Sequence, residues 1–138
     1  MKEHFLKYND ILNKINEVRY KIIEIKEKIY SIKGISYDDL PKGKGKNIDM
    51  IYYIADIEEL EKELTTLVNI KNELKKTHEE EIENVKNERD RKILRMIYIH
   101  RFDIVKVSEI LDVTTNHAQH LKARAVREFL KVNNINSH

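Results

Sequence analysis

The sequence predicts an all-α protein, built from a long antiparallel coiled-coil hairpin followed by a small helix-turn-helix domain. Two observations predict this fold class. Apolar residues recur at alternating steps of three and four over two long stretches, which is the spacing of amphipathic helices. Charged residues make up 36% of the 138 residues, and the three glycines and single proline all lie within residues 34–46. Long helices with one clear break are typical of this composition.

The first predicted helix covers about residues 3–33. Its apolar positions follow the heptad spacing of a coiled-coil seam, and the residues between them are mainly Lys, Glu and Asn. The seam consists of Tyr8, Ile11, Ile15, Val18, Ile22, Ile25, Ile29 and Ile32. This narrow stripe indicates a long helix that packs as coiled-coil helices do.

Residues 34–46 interrupt the helical pattern and form the predicted loop at the tip of the hairpin. Lys42, Lys44 and Lys46 alternate there with glycines. Two interpretations stay open, a solvated linker and a basic loop that contacts phosphate. The loop lacks the glycine spacing and the flanking strand of a nucleotide-binding loop.

The second predicted helix covers about residues 48–86, and we expect it to pair antiparallel with the first, so that residues 1–88 form one domain. Its seam contains Met50, Tyr53, Ile57, Leu60, Leu64, Leu67, Lys71, Leu74 and His78. A hairpin of two helices buries little apolar surface. A homodimer through the hairpin, or docking against the C-terminal domain, would supply the missing burial.

The polar residues near the end of this helix are interpreted as structural. His78 is expected to be a tolerated polar residue of the seam rather than a metal ligand. Glu79, Glu80, Glu81 and Glu83 are expected to form a solvated acidic face. No metal site and no cofactor are predicted.

Charge divides the chain into unlike segments although its net charge is only +2. Residues 47–88 carry twelve acidic and five basic side chains, whereas residues 89–138 carry ten basic and five acidic ones. The chain has no cysteine, no signal-peptide pattern and no apolar run long enough to cross a bilayer. We therefore expect a soluble, cytoplasmic protein that does not contact membranes.

Residues 89–132 have the spacing of a helix-turn-helix domain, and residues 133–138 are expected to be a disordered tail. An amphipathic helix over residues 91–101 is followed by Asp103, which can cap a short helix. The turn at 112–114 then leads to Thr114, a good N-cap for the last helix. A steep crossing of two helices needs a small residue, and Ser108 lies at that position; Asp112 tolerates the left-handed backbone of the turn.

The outer side of the last helix carries amides, hydroxyls, imidazoles and bases, with no acid before Glu128. These residues are Thr115, Asn116, His117, Gln119, His120, Lys122 and Arg124. Asn and Gln pair with adenine edges, and Lys neutralises phosphate. The set predicts binding of double-stranded DNA; an ordinary three-helix packing unit with a polar surface is the alternative.

Residues 107–129 resemble the helix-turn-helix of region four of bacterial primary sigma factors. The ending Lys122-Ala-Arg-Ala-Val-Arg is close to the pattern of that family, and residues 91–98 are similar to its preceding helix. The whole layout resembles ArpU/RinA-type phage and prophage transcription regulators, since a helix, a Ser-Tyr-Asp loop with Lys and Gly, and an acidic helix precede the region-four-like end. This resemblance implies control of late or packaging genes.

The resemblance also implies roles for individual residues. Base contacts fall on Thr115, Asn116, Gln119 and His120. Phosphate contacts fall on Thr114, His117, Lys122, Arg124 and Arg127. The chain departs from the family where Asp112 replaces the usual Gly, Ala118 the usual Val or Ile, and Thr115 and Asn116 a typical Arg-Glu pair. The fold expectation survives these departures, but no target sequence follows from it.

Two other functions fit the same pattern. The protein could be an interaction module that binds RNA polymerase through its basic end, or a small terminase subunit that binds DNA for packaging. An enzyme is not expected, because no nucleophile–base pair, metal-ligand spacing or phosphate cradle is evident. His117 and His120 could supply two zinc ligands, but the sequence indicates no third.

Overall fold

The computed structural model of the protein describes residues 1–33 and 45–136. These residues contain helices and no strand, which confirms the all-α class. The helices are α1 (Leu6–Lys33), α2 (Gly45–Glu83), α3 (Glu88–Leu94), α4 (Ile104–Leu111) and α5 (Thr115–Val132), and a π-helical turn, Arg95–Ile99, continues α3. None of the described helices is long and apolar enough to span a membrane. The predictions for Lys42 and Lys44 lie outside the described residues.

The described chain forms two compact units. The hairpin unit is Asn9–Lys71, and the composite unit combines Met1–Tyr8 with Asn72–His138. These boundaries differ from the predicted division at residue 88, because side chains from both chain ends are buried in one core. Phe5, Ile82 and Val85 are fully buried there together with Phe129.

In the hairpin unit, the predicted seam of α1 is the buried side of that helix. Ile11, Ile15, Val18 and Ile22 are buried, whereas the seam residues of α2 are only half-buried. Residues of the two helices line common grooves in an antiparallel order. Ile22 lines a groove with Leu64, Ile25 lines one with Leu60, and the Lys28 ammonium lies 6.0 Å from the centroid of the Tyr53 ring.

The composite unit has a closed apolar core. Its buried side chains come from the N-terminal segment, the end of α2 and every later helix. They are Phe5, Ile82, Val85, Ile93, Leu94, Met96, Ile99, Val107, Leu121, Ala125, Phe129 and Leu130. Burial of this kind stabilises a fold by roughly 25 cal/mol for each Å² of apolar surface removed from water.

Helix ends in the composite unit carry the caps that their sequences favour. Asp103 accepts a hydrogen bond from the Lys106 N–H at 2.8 Å, and the Thr114 hydroxyl accepts one from the His117 N–H at 3.1 Å, which confirms both predicted caps. Asn87 caps α3 in the same way. The second helix ends at Glu83, three residues before its predicted end, because the chain must turn there to bury Val85.

Asn133 and Ile135, which follow α5, contact the rest of the composite unit, whereas the sequence predicts a disordered tail from 133 to 138. The Asn133 amide donates hydrogen bonds to the carbonyls of Glu81 and Phe129, each at 3.0 Å. Ile135 is half-buried against the core. One polar side chain and one apolar side chain therefore hold this segment in place.

Candidate nucleic-acid interface

The turn between α4 and α5 has the backbone geometry that the sequence predicts. Asp112 adopts φ 55° and ψ 50°, in the left-handed region. Its N–H donates to the Glu109 carbonyl at 3.2 Å, and the Val113 N–H donates to the Ser108 carbonyl at 3.0 Å. This pair of hydrogen bonds closes the end of α4 as a Schellman motif. The turn thereby directs the chain sharply from α4 into α5.

Helices α4 and α5 pack against each other, and each buries a small residue. Ser108 is buried, as predicted, and its hydroxyl donates to the Val105 carbonyl at 2.6 Å. Ala118 in the second turn of α5 is fully buried. Because neither side chain is bulky, the two helices can approach closely at this crossing.

The inner side of α5 determines which residues face solvent. Ala118, Leu121, Ala125 and Phe129 are buried at steps of three and four. A helix turns about 100° per residue, so the opposite side is centred on Asn116 and the positions one and two turns after it. All the predicted base-contacting residues are exposed: Thr115, Asn116, Gln119 and His120.

Helix geometry separates these residues into a ridge and its flanks. Asn116, Gln119 and His120 lie within about 60° of the centre of the exposed side, and Arg127 lies on the same ridge further along. Thr115 is about 100° away, on one flank. The structure thus brings three of the four predicted base-contacting residues to one ridge and places Thr115 beside it.

The predicted phosphate-contacting residues lie mainly on the flanks. His117 and Arg124 are exposed on one side of the ridge, whereas Lys122 is half-buried on the other. The Thr114 side chain is exposed at the start of α5. Its hydroxyl accepts from His117, so the hydroxyl hydrogen can still be donated. Basic side chains therefore lie on both sides of the ridge.

Three basic residues of α5 lack an ion-pair partner in the described part of the chain. No carboxylate within residues 1–33 and 45–136 forms an ion pair with Lys122, Arg124 or Arg127. Arg95 shows the contrast, because it pairs with Glu79 at 2.9 Å and also with Glu83. The outer side of α5 is therefore a positive surface, and such a surface attracts polyanions.

Sequence reasoning missed a further exposed basic residue, on α4. Lys106 is exposed in the first turn of α4, and its ammonium lies 4.7 Å from the centroid of the Phe102 ring. In helix-turn-helix proteins the helix before the reading helix crosses the DNA backbone. The position of Lys106 three residues after the N-cap Asp103 was the available signal.

Comparison with known proteins places the chain in one family. No curated protein and no solved structure matches the sequence. A family model described as protein of unknown function (DUF1492) matches residues 29–130, from near the end of α1 to the last buried residue of α5. The chain therefore belongs to the DUF1492 family.

Proposed function

We propose that this protein is a sequence-specific transcription regulator that binds double-stranded DNA with α5 in the major groove. The proposal rests on the composition of the outer side of α5. This side is exposed, is rich in amide side chains and in basic side chains without ion-pair partners, and has no acidic residue before Glu128. An α-helix fits the major groove, where each base pair presents a distinct pattern of donors and acceptors.

The polar ridge suits recognition of bases, and the flanks suit contact with phosphates. Asn116 and Gln119 can each form a bidentate pair with adenine, while His120 can donate or accept one hydrogen bond. Arg124 and Lys122 would neutralise phosphates on opposite walls of the groove. Lys106, on the preceding helix α4, would add a further contact to phosphate.

Within this function, we propose the ArpU/RinA type of regulator, which controls late genes of a phage or prophage. The support is the resemblance of residues 107–129 to sigma region four, together with the preceding acidic helix. The sequence shows no resemblance to the sigma region that melts promoters, so we infer that the protein acts alongside RNA polymerase. Two other functions compete with this one. The protein could bind RNA polymerase without binding DNA, or it could be a small terminase subunit that binds DNA for packaging.

Selection of DNA from a random pool, followed by titration of the selected site, tests the proposal. We expect Gln119→Ala to weaken binding by about 1–3 kcal/mol and to relax preference at one base pair. Lys122→Ala should weaken binding to all sequences and lower the salt dependence by about one phosphate contact. Matched controls are Asn69→Ala and Lys62→Ala, exposed residues of the hairpin unit that should change neither quantity.

Two results would contradict the proposal. The pool could yield no enriched sequence, or the α5 and hairpin variants could bind a selected site equally well. Capture of RNA polymerase without any DNA binding would replace the proposal with the interaction module. A ring-sized oligomer in solution would favour the terminase subunit.

A further inference from the structure

Three side chains of metal-ligand type converge in the composite unit, away from the outer side of α5. His4 Nε2 lies 2.6 Å from Glu81 Oε2, and His78 Nδ1 lies 2.7 Å from Glu81 Oε1. One ligand atom from each residue lies within 4.8 Å of the other two. His78 and Glu81 are one turn apart on α2, while His4 precedes α1. The sequence alone favours a polar seam residue at His78, because nothing in the sequence connects it to His4.

The cluster is largely shielded from water by aromatic rings. His78 is only 5% exposed, and the other two residues are half-buried. The Phe5 ring lies 4.2 Å from the His78 ring, and the Tyr8 and Phe129 rings lie within 6 Å of one histidine or the other. A shell of this kind limits solvent access and strengthens electrostatic interactions inside it.

We propose that His4, His78 and Glu81 bind a divalent transition-metal ion, with zinc as the best match. Two imidazoles and one carboxylate are a known ligand set for zinc, and imidazole also suits nickel and copper. Bonds of about 2 Å place the ligand atoms of a tetrahedral zinc roughly 3.3 Å apart. The nitrogen–oxygen distances here, 2.6 and 2.7 Å, are shorter than this, so the side chains would rotate apart to admit the ion. A fourth position would be left to water or an added ligand.

The competing interpretation is a hydrogen-bonded clip without metal. An ionised carboxylate only accepts hydrogen bonds, so both histidine nitrogens that face Glu81 must then carry a proton. A metal ion needs the lone pairs of the same nitrogens instead. The two states therefore differ in where the histidine protons lie and in how far apart the ligand atoms are.

A bound metal would fasten the N-terminal segment to α2. His4 adjoins Phe5, which is fully buried in the core that also holds the inner residues of α5. Binding to the folded state alone stabilises that state by mass action. The metal would thus raise the stability of the unit that carries the helix-turn-helix. This inference stands on the cluster itself and does not depend on DNA binding.

Thermal unfolding of the full chain tests the site. The melting temperature is measured first with a metal chelator and then with excess zinc chloride. With zinc at about 100 times its dissociation constant, we expect the melting temperature of the composite unit to rise by roughly 10–20 °C, as the size of that unit implies. His4→Gln and Glu81→Gln should each abolish most of this shift. The matched control is His120→Gln, an exposed histidine of the same unit, which should keep the full shift.

Cobalt absorption provides a second readout that does not depend on stability. Wild-type protein titrated with cobalt chloride should develop visible bands that saturate at one ion per chain, and His4→Gln should lose them. Equal melting temperatures for wild-type protein with and without zinc would overturn the proposal. A zinc shift that survives in both cluster variants, or one that His120→Gln removes, would also overturn it.

Discussion

The two compact units contrast in how completely they bury their apolar residues. The composite unit surrounds its core with side chains from both ends of the chain, so that Phe5, Ile93, Val107 and Phe129 are fully buried. The hairpin unit has a single seam, and the α2 side of that seam is only half-buried. Two helices can shield one stripe of side chains, whereas several segments packed at different angles enclose a volume.

The hairpin unit also keeps large apolar side chains in solvent. They are Tyr20, Ile23, Tyr30, Ile51, Tyr52, Ile54 and Ile70. The homodimer expected from the sequence concerns this unit, where a second copy would add the burial that the hairpin lacks. The composite unit is therefore the part of the described chain that its own core can keep folded.

The largest change in stability is expected for a substitution near the N-terminus. Phe5→Ala should destabilise the composite unit by about 3–5 kcal/mol, because it opens a cavity in a closed core. Leu6→Ala, one residue later, is the matched control; Leu6 is 56% exposed and its loss should cost at most about 0.5 kcal/mol. Urea unfolding measures both values. Equal stabilities for the two variants would mean that the N-terminal segment does not belong to this core.

Smaller changes in stability are expected at the turn before α5, where two substitutions of the same residue should act in opposite directions. Asp112 has a left-handed backbone, which costs a residue with a Cβ about 1 kcal/mol and a β-branched residue more. Asp112→Gly should therefore stabilise the composite unit by up to about 1 kcal/mol, and Asp112→Val should destabilise it by about 1–2 kcal/mol. Thermal unfolding measures both changes in stability. If both substitutions changed stability in the same direction, the backbone at Asp112 would not be left-handed.

The smallest effect concerns alkaline pH. The Tyr8 hydroxyl donates to the Ile99 carbonyl at 3.3 Å, and burial, with the nearby Glu79 carboxylate, raises the pKa of Tyr8 above its usual value. The folded state therefore holds this proton more tightly than the unfolded state. The stability it contributes is complete below about pH 10, the unfolded pKa of tyrosine, and is lost as pH rises through the folded pKa.

Tyr8→Phe should remove part of that alkaline loss and cost about 1 kcal/mol at neutral pH through the missing hydrogen bond. Unfolding measured from pH 8 to pH 11 tests this. Burial also raises the pKa of Tyr98, so some loss should remain in the variant. Tyr20→Phe is the control, since Tyr20 is exposed in the hairpin unit and should leave the pH profile unchanged. Identical profiles for wild type and Tyr8→Phe would count against the buried hydrogen bond.

Much of the candidate interface was predictable from neighbouring residues. Asp103 and Thr114 cap their helices, Asp112 is left-handed, and the outer side of α5 is the one that its apolar spacing indicates. Each of these features depends on residues within a few positions of one another. Caps, turns and helical periodicity are local, so their signals are present in the sequence.

Other features depend on contacts between distant parts of the chain. His4 meets Glu81, 77 residues away, Tyr8 meets Ile99, and Asn133 holds the Glu81 carbonyl. No spacing rule predicts such pairs, because nothing about either residue alone indicates its partner. Local spacing thus sufficed for the helices, their ends and the exposed side of α5. The joining of both chain ends in one core, and the His4–His78–Glu81 cluster beside it, required the packing of the whole unit, where burial is shared among residues far apart in sequence.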